Sequence, residues 1–182
     1  MNIQNLGSFN NQWYSHGKSR VVRLLWIICN GLFLQNPLFV WSKPKLWLLR
    51  LFGAKIGTGV VLKPQVSIKH PWMLSIGSQV WIGEQVWIDN LAPVVIGDNV
   101  CISQGALLLT GNHNYKKPEF DLMVGEIHIA DQAWIGARAT VCPGVKVERG
   151  AILTVGSIAT QNLEALGVYQ GNPAQKLRSR LS

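Results

Sequence analysis

The chain has 182 residues, 48% of them hydrophobic and only 14% charged, with 17 Lys and Arg against 9 Asp and Glu for a formal net charge of +8. That length holds one domain with a real core, and the apolar content excludes a disordered chain. Three scattered cysteines, Cys29, Cys101 and Cys142, exclude a disulfide framework or zinc knuckle and read as reduced thiols of a cytoplasmic protein.

The charge is unevenly placed. No acidic residue precedes Glu84, whereas nine basic ones do, from Lys18 to Lys69. An anionic partner for that half is implied, either a membrane surface or a phosphate-bearing ligand. No basic run or nucleic-acid motif is present, so nucleic acid is not expected. Residues 1–55 form a basic, Trp-rich segment. Its apolar stretch 21–52 is interrupted by Asn30, Gln35, Asn36 and Pro37, which argues against a spanning helix. A signal peptide would need a small-residue cleavage site, and none follows. The stretch predicts two short helices, about 21–35 and 43–52, divided by Asn36-Pro37 and Lys43-Pro44. Trp26, Trp41 and Trp47 interleave with Arg23, Lys43, Lys45 and Arg50. Such helices either pack on the rest of the protein or lie at a lipid headgroup boundary.

From Ile56 the period becomes six. Ile56, Leu62 and Ile68 begin a series that runs through Ile76, Ile82 and Ile88, then Ile96, Ile102 and Leu108. It resumes at Ile129 and continues through Ile135, Val141, Val147 and Leu153 to Ala159. A second track four residues on is mostly small or β-branched, as at Val60, Val80, Ala106 and Ala139. A six-residue unit is a short strand plus a turn and cannot bury its apolar residue alone. Three units make a triangular coil, and stacked coils pair their strands. The fold class is an all-β solenoid, a parallel β-helix of about five coils over 56–163, followed by a C-terminal tail over 164–182. Glycine often follows the aliphatic residue, as at Gly57, Gly77 and Gly136, where it is expected to relieve the turns. Eight-residue steps at 68–76 and 88–96 mark corner insertions, and the gap from Leu108 to Ile129 carries an extruded loop, 110–126. Such a loop is where function is expected.

The hexapeptides, the loop sequence T-G-N-H at 110–113, the run from Asp131 to Val145 and the G-N-P-A at 171–174 resemble the hexapeptide-repeat acyltransferases. The apolar segment ending in L-R-L-F-G-A-K-I-G, Leu49–Gly57, is similar to the acetyltransferases of colanic acid and exopolysaccharide biosynthesis. The resemblance implies a left-handed β-helix, a homotrimer with active sites between subunits, and acetyl-CoA as acyl donor. It makes His113 the general base toward an acceptor hydroxyl, a role suited to imidazole. Trp134, Gly136 and Ala137 would line the pantetheine arm, with Gly156, Ser157 and Thr160 on later coils. Lys176 and Arg178 would meet the CoA phosphates. Gln161 and Gln175 depart from the Lys and Arg common in the family, which puts the phosphate contacts in question.

On the acceptor side stand Asp89, Asn90 and Tyr115. Asn90 reads equally as an Asx turn at its corner. A zinc site like that of the γ-class carbonic anhydrases would need a second loop histidine where Pro118 stands, so no metal is expected. The implied function is O-acetylation of a sugar hydroxyl in exopolysaccharide or capsule assembly. The acceptor is a sugar or lipid-linked oligosaccharide, and the protein is cytoplasmic, with peripheral contact at the inner membrane face. The alternatives are acetylation of a small diffusible acceptor (free sugar, serine or antibiotic) and a non-catalytic trimeric membrane scaffold.

Overall fold

The computed structural model describes residues 4–182, so the first three residues of the 1–55 segment lie outside it. Three parallel sheets form the faces of a triangular solenoid. The first face stacks Lys55–Ile56, Leu74–Ile76, Val94–Ile96, Ile127–Ile129 and Lys146–Val147. The second stacks Val61–Leu62, Trp81–Ile82, Cys101–Ile102, Trp134–Ile135 and Ile152–Leu153. The third stacks Ser67–Ile68, Trp87–Asp89, Leu107–Leu109, Thr140–Val141 and Ile158–Ala159. Five coils are complete. A partial sixth begins where Leu163 bridges Val147 and Gly167–Gly171 adds to the second face.

Both sequence tracks point inward. Leu62, Ile68, Ile82, Ile88, Ile102, Leu108, Ile135 and Leu153 are fully buried, and Val66, Val86, Ala106 and Ala139 fill the corners between them. Each buried Leu or Ile contributes about 2 kcal/mol through area removed from water.

The glycines that follow the aliphatic residues do not act as expected. The left-handed corner position lies one residue before the small track, and it is held by Gln65, Gln79, Gln85, Asn99, Gln132 and Arg138 as well as by glycines. Gly136, by contrast, is needed for proximity: an added Cβ would sit 2.6 Å from Val155 N and 2.7 Å from the Thr154 carbonyl carbon. The coils pass too closely there for any side chain.

Helix α1, Arg20–Cys29, continues through a π-helical turn, Asn30–Leu34, and helix α2 spans Ser42–Leu51. The sequence placed both to within a residue at most ends. One side of α1 packs on the third face, where Trp26 Nε1 donates to Ile68 O at 2.8 Å. Helix α2 closes the open end of the solenoid, whose first coil has no preceding coil to accept its edge hydrogen bonds. Lys45, fully buried, donates to Lys63 O at 3.0 Å, and burial lowers its pKa. Arg50 caps Ile56 O and Gly57 O at 3.1 and 2.9 Å. Among the described residues no helix is long and apolar enough to cross a membrane.

Residues 164–182, expected as a tail, close the other end. Gly167–Gly171 and Ala174–Ser179 form an antiparallel pair, with Tyr169 turned inward and Arg180 bonded to Gln132 O and Gly150 O at 2.8 and 3.1 Å. A solenoid needs such a cap at each end, and G-N-P-A supplies the turn of this one.

The two corner insertions stack on each other. Asn90 is completely buried; its Oδ1 accepts from His70 N at 2.9 Å and its Nδ2 donates to His70 O at 2.6 Å. The His70 ring stacks on Trp72 with centroids 4.9 Å apart, and burial is the main reason its pKa falls from 6.5 to about 4. The unfolded chain therefore binds this proton more readily than the folded one. The stability held by neutral His70 is complete above pH 6.5 and is lost as pH falls toward 4. Thermal melts should show a smaller acid-induced drop in Tm for His70→Phe than for the wild type across that window.

Candidate active site

The loop 110–126 is anchored before it leaves the solenoid. Thr110 is buried, its Oγ1 donating to Asp89 O at 2.9 Å and accepting from Ala92 N at 3.0 Å. Gly111 admits the Leu91 side chain where a Cβ would meet it at 2.6 Å. Gly111–His113 then pairs antiparallel with Leu122–Val124. His113 is half-buried at the end of this hairpin. Its ring lies flat on Phe120, 4.4 Å between centroids and 2° between planes, and Nδ1 is 2.9 Å from Phe120 O. A carbonyl only accepts, so Nδ1 carries the proton and Nε2 presents the lone pair. Phe120 reaches this position with φ of 52°, in the left-handed region that bulky residues avoid. The Phe9 ring stands 5.7 Å from His113, and Asn5 N donates to Pro118 O at 2.8 Å, so the N-terminal segment braces the loop. Neither Phe120 nor Phe9 was picked out from the sequence.

A cavity of about 370 Å³ opens at His113, with Tyr115, Lys116 and Met123 on its walls. Tyr115 thus lines the same cavity as His113. Asp89 does not. Its carboxylate sits 2.7 Å from Lys69 and lines a different cavity, between α1 and the third face, with Trp26 and Trp87. Asn90 has no exposed atom, which leaves it the corner role described above.

On the second face Trp134, Gly136 and Ala137 come together in a mostly apolar groove of about 370 Å³. Trp134 is 46% exposed and held by Nε1 donating to Ser103 Oγ at 2.9 Å. Ser103 and Gln104 from the coil before, and Ile152, Leu153, Thr154 and Val155 from the coil after, complete the walls. Those six were not picked out as groove residues, although strand register places Cys101 and Ile152 on either side of Trp134 and so could have found them. The later-coil expectations divide. Gly156 is exposed but its N–H goes to Ala137 O at 2.9 Å. Ser157 is buried, its Oγ accepting from Gly171 N at 3.0 Å, so its hydroxyl belongs to the cap. Thr160 is exposed outside the groove lining.

Lys176 and Arg178 lie on the outermost strand. Lys176 is 2.6 Å from Glu164, an ion pair whose hydrogen bond raises the lysine pKa and lowers that of the glutamate. Among the described residues the Arg178 guanidinium hydrogen-bonds only the Ser179 and Ser182 carbonyl oxygens, at 3.4 Å, which makes it the freer cation of the two. Among the described residues no three His, Cys, Asp or Glu side chains gather as a metal site.

Within one chain the His113 cavity and the Trp134 groove share no lining residue.

A scan against models of known protein families finds no match. Individual relatives are clear. WcaF of Escherichia coli (strain K12), named for acetyl transfer in colanic acid biosynthesis, is 34% identical across 98% of both chains. The chain belongs to the hexapeptide-repeat acetyltransferase family. Solved structures agree in fold. The hexapeptide-repeat acetyltransferase VCA0836 of Vibrio cholerae matches with a TM-score of 0.80 and 21% identity, over 90% of this chain and 94% of that one. A galactoside acetyltransferase in complex with coenzyme A matches at 0.78 and 22%, over 87% and 80%. The solenoid is thus the left-handed β-helix of this acetyltransferase family, an exception to the right-handed crossover rule.

Proposed function

We propose that this acetyltransferase moves the acetyl group of acetyl-CoA to a sugar hydroxyl in exopolysaccharide or capsule assembly of the colanic-acid type. The observation that carries the reading is the 2.9 Å hydrogen bond between His113 Nδ1 and Phe120 O at the edge of a cavity that His113 lines, which leaves Nε2 as the basic nitrogen. The acceptor oxygen attacks the thioester carbonyl as Nε2 takes its proton. The tetrahedral intermediate then collapses, the carbon–sulfur bond breaks, and the imidazolium returns the proton to the departing CoA thiolate. The donor lies in the Trp134 groove, pantetheine against Trp134, Gly136 and Ala137, with Arg178 nearest the phosphates.

The separation of groove and cavity within one chain supports a trimer in which His113 of one subunit faces the groove of the next. The acceptor is a sugar or a lipid-linked oligosaccharide at the cytoplasmic face of the membrane. Incubating the enzyme with acetyl-CoA and a panel of such acceptors, followed by mass spectrometry, should find an added acetyl ester. Free CoA without any acetylated sugar would refute the acceptor assignment.

Trp134→Ala should raise KM for acetyl-CoA about tenfold with kcat little changed, since the indole contacts ground state and transition state alike. Steady-state kinetics against donor concentration reads this directly. Subunit mixing tests the trimer. His113→Ala and Ala137→Trp chains are each inactive alone. Co-expressed, they should recover about a quarter of wild-type activity, because random assortment leaves one interface in four intact. No recovery would place both halves of the site in one chain.

A further inference from the structure

Helix α1 is amphipathic in the reverse of the usual sense. Val21, Leu24, Leu25, Ile28 and Leu32 recur at the spacing of one helix face, and all five are 49–67% exposed. The opposite side, with Trp26 and Asn30, is the one that packs on the solenoid. A surface helix normally turns its apolar stripe inward, and a contiguous apolar patch of this kind marks an interaction site. Leu38 and Trp41 in the connection to α2 and Trp47 on α2 itself are also exposed, at 83%, 63% and 64%. Basic residues flank these segments at Lys18 before α1, at Arg20 in its first turn and at Lys43 on α2. No acidic residue lies within the first 83 positions to oppose them.

We infer that this face of α1 and α2 is the surface by which the enzyme docks on an anionic lipid bilayer, lying in the headgroup region without spanning it. Exposed aliphatic side chains supply the insertion and tryptophans suit the boundary. The uncompensated basic residues select negatively charged headgroups over neutral ones. The inference deepens the membrane-side placement of the acceptor proposed above. It assigns the contact to side chains that neither the groove nor the His113 cavity uses.

Co-sedimentation of the full chain tests it. Vesicles of equal parts phosphatidylglycerol and phosphatidylcholine should carry the protein down, and pure phosphatidylcholine vesicles should carry little. The bound fraction should fall as salt is raised. Leu24→Asp with Ile28→Asp should abolish binding. Replacing Arg20 and Lys43 by Gln should weaken it on the order of tenfold. In both variants the light-scattering mass and acetyl-CoA binding should match the wild type, since the altered side chains are exposed. Failure to bind the anionic vesicles at low salt would overturn the inference and leave acetyl transfer standing. So would a change of oligomeric mass in the aspartate variant, because the face would then be covered by another subunit.

Discussion

His113→Ala should lower kcat for acetyl transfer by roughly 10²- to 10⁴-fold, the usual contribution of a positioned general base, while acetyl-CoA binding is unchanged. The split follows from the architecture. His113 sits on an extruded hairpin, and the Trp134 groove proposed for the donor is built on the second face with no residue in common. A companion substitution sharpens the test. Phe120→Ala keeps the carbonyl that orients Nδ1 but removes the ring stacked on the imidazole. It should cost less than loss of the histidine, and the loss should appear in kcat more than in KM. Equal activity of His113→Ala and wild type would exclude the proposed base.

Gly136→Ala should be among the most damaging single-methyl substitutions in the molecule. The added Cβ meets backbone atoms of the following coil, Val155 N at 2.6 Å and Leu153 O at 2.8 Å, and backbone cannot swing aside as a side chain can. Forcing those coils apart costs about 3 kcal/mol, by analogy with overpacked cores, which lowers Tm by roughly 5 to 10 °C in a chain of this size. It also deforms the groove that Gly136 lines. Gly156 offers the contrast: its φ is 66° and a Cβ there meets nothing within 4 Å. Gly156→Ala should therefore cost only the backbone strain, about 1 kcal/mol. Calorimetric melts of both variants against wild type separate coil spacing from turn conformation as the reason for glycine.

That contrast also shows how the sequence could be read and where it could not. The hexad period was legible because an inward-facing aliphatic recurs once per strand and turn, so Ile82, Ile102 and Ile135 announce the same environment. Both helices were legible from Asn36-Pro37 and Lys43-Pro44, whereas the π-helical turn Asn30–Leu34 was not anticipated. The glycines after the aliphatics were misassigned because a one-dimensional pattern does not distinguish a turn that needs positive φ from a close approach between coils. The strands within 164–182 were not anticipated, because they form by pairing with the preceding coil, where Tyr169 lies against Leu153 and Arg180 bonds Gln132 O and Gly150 O. Trp134, Gly136 and Ala137, which the family resemblance pointed to, share one groove because they are consecutive or nearly so on one strand and its turn. Ser103 and Val155 reach the same groove only through stacking. Asn90 and Ser157 looked like ligand contacts by residue type, yet each is buried and hydrogen-bonded to a neighbouring corner or cap. Polar type signals a hydrogen bond but not its partner.

The most direct test of the account is a calorimetric titration of acetyl-CoA into the purified protein, with oligomeric mass measured on the same sample. Acetyl-CoA should bind at about one site per chain in a trimer, with binding retained in His113→Ala and lost in Ala137→Trp, whose indole would fill the groove. A folded trimer of the wild type that takes up no acetyl-CoA would contradict the account.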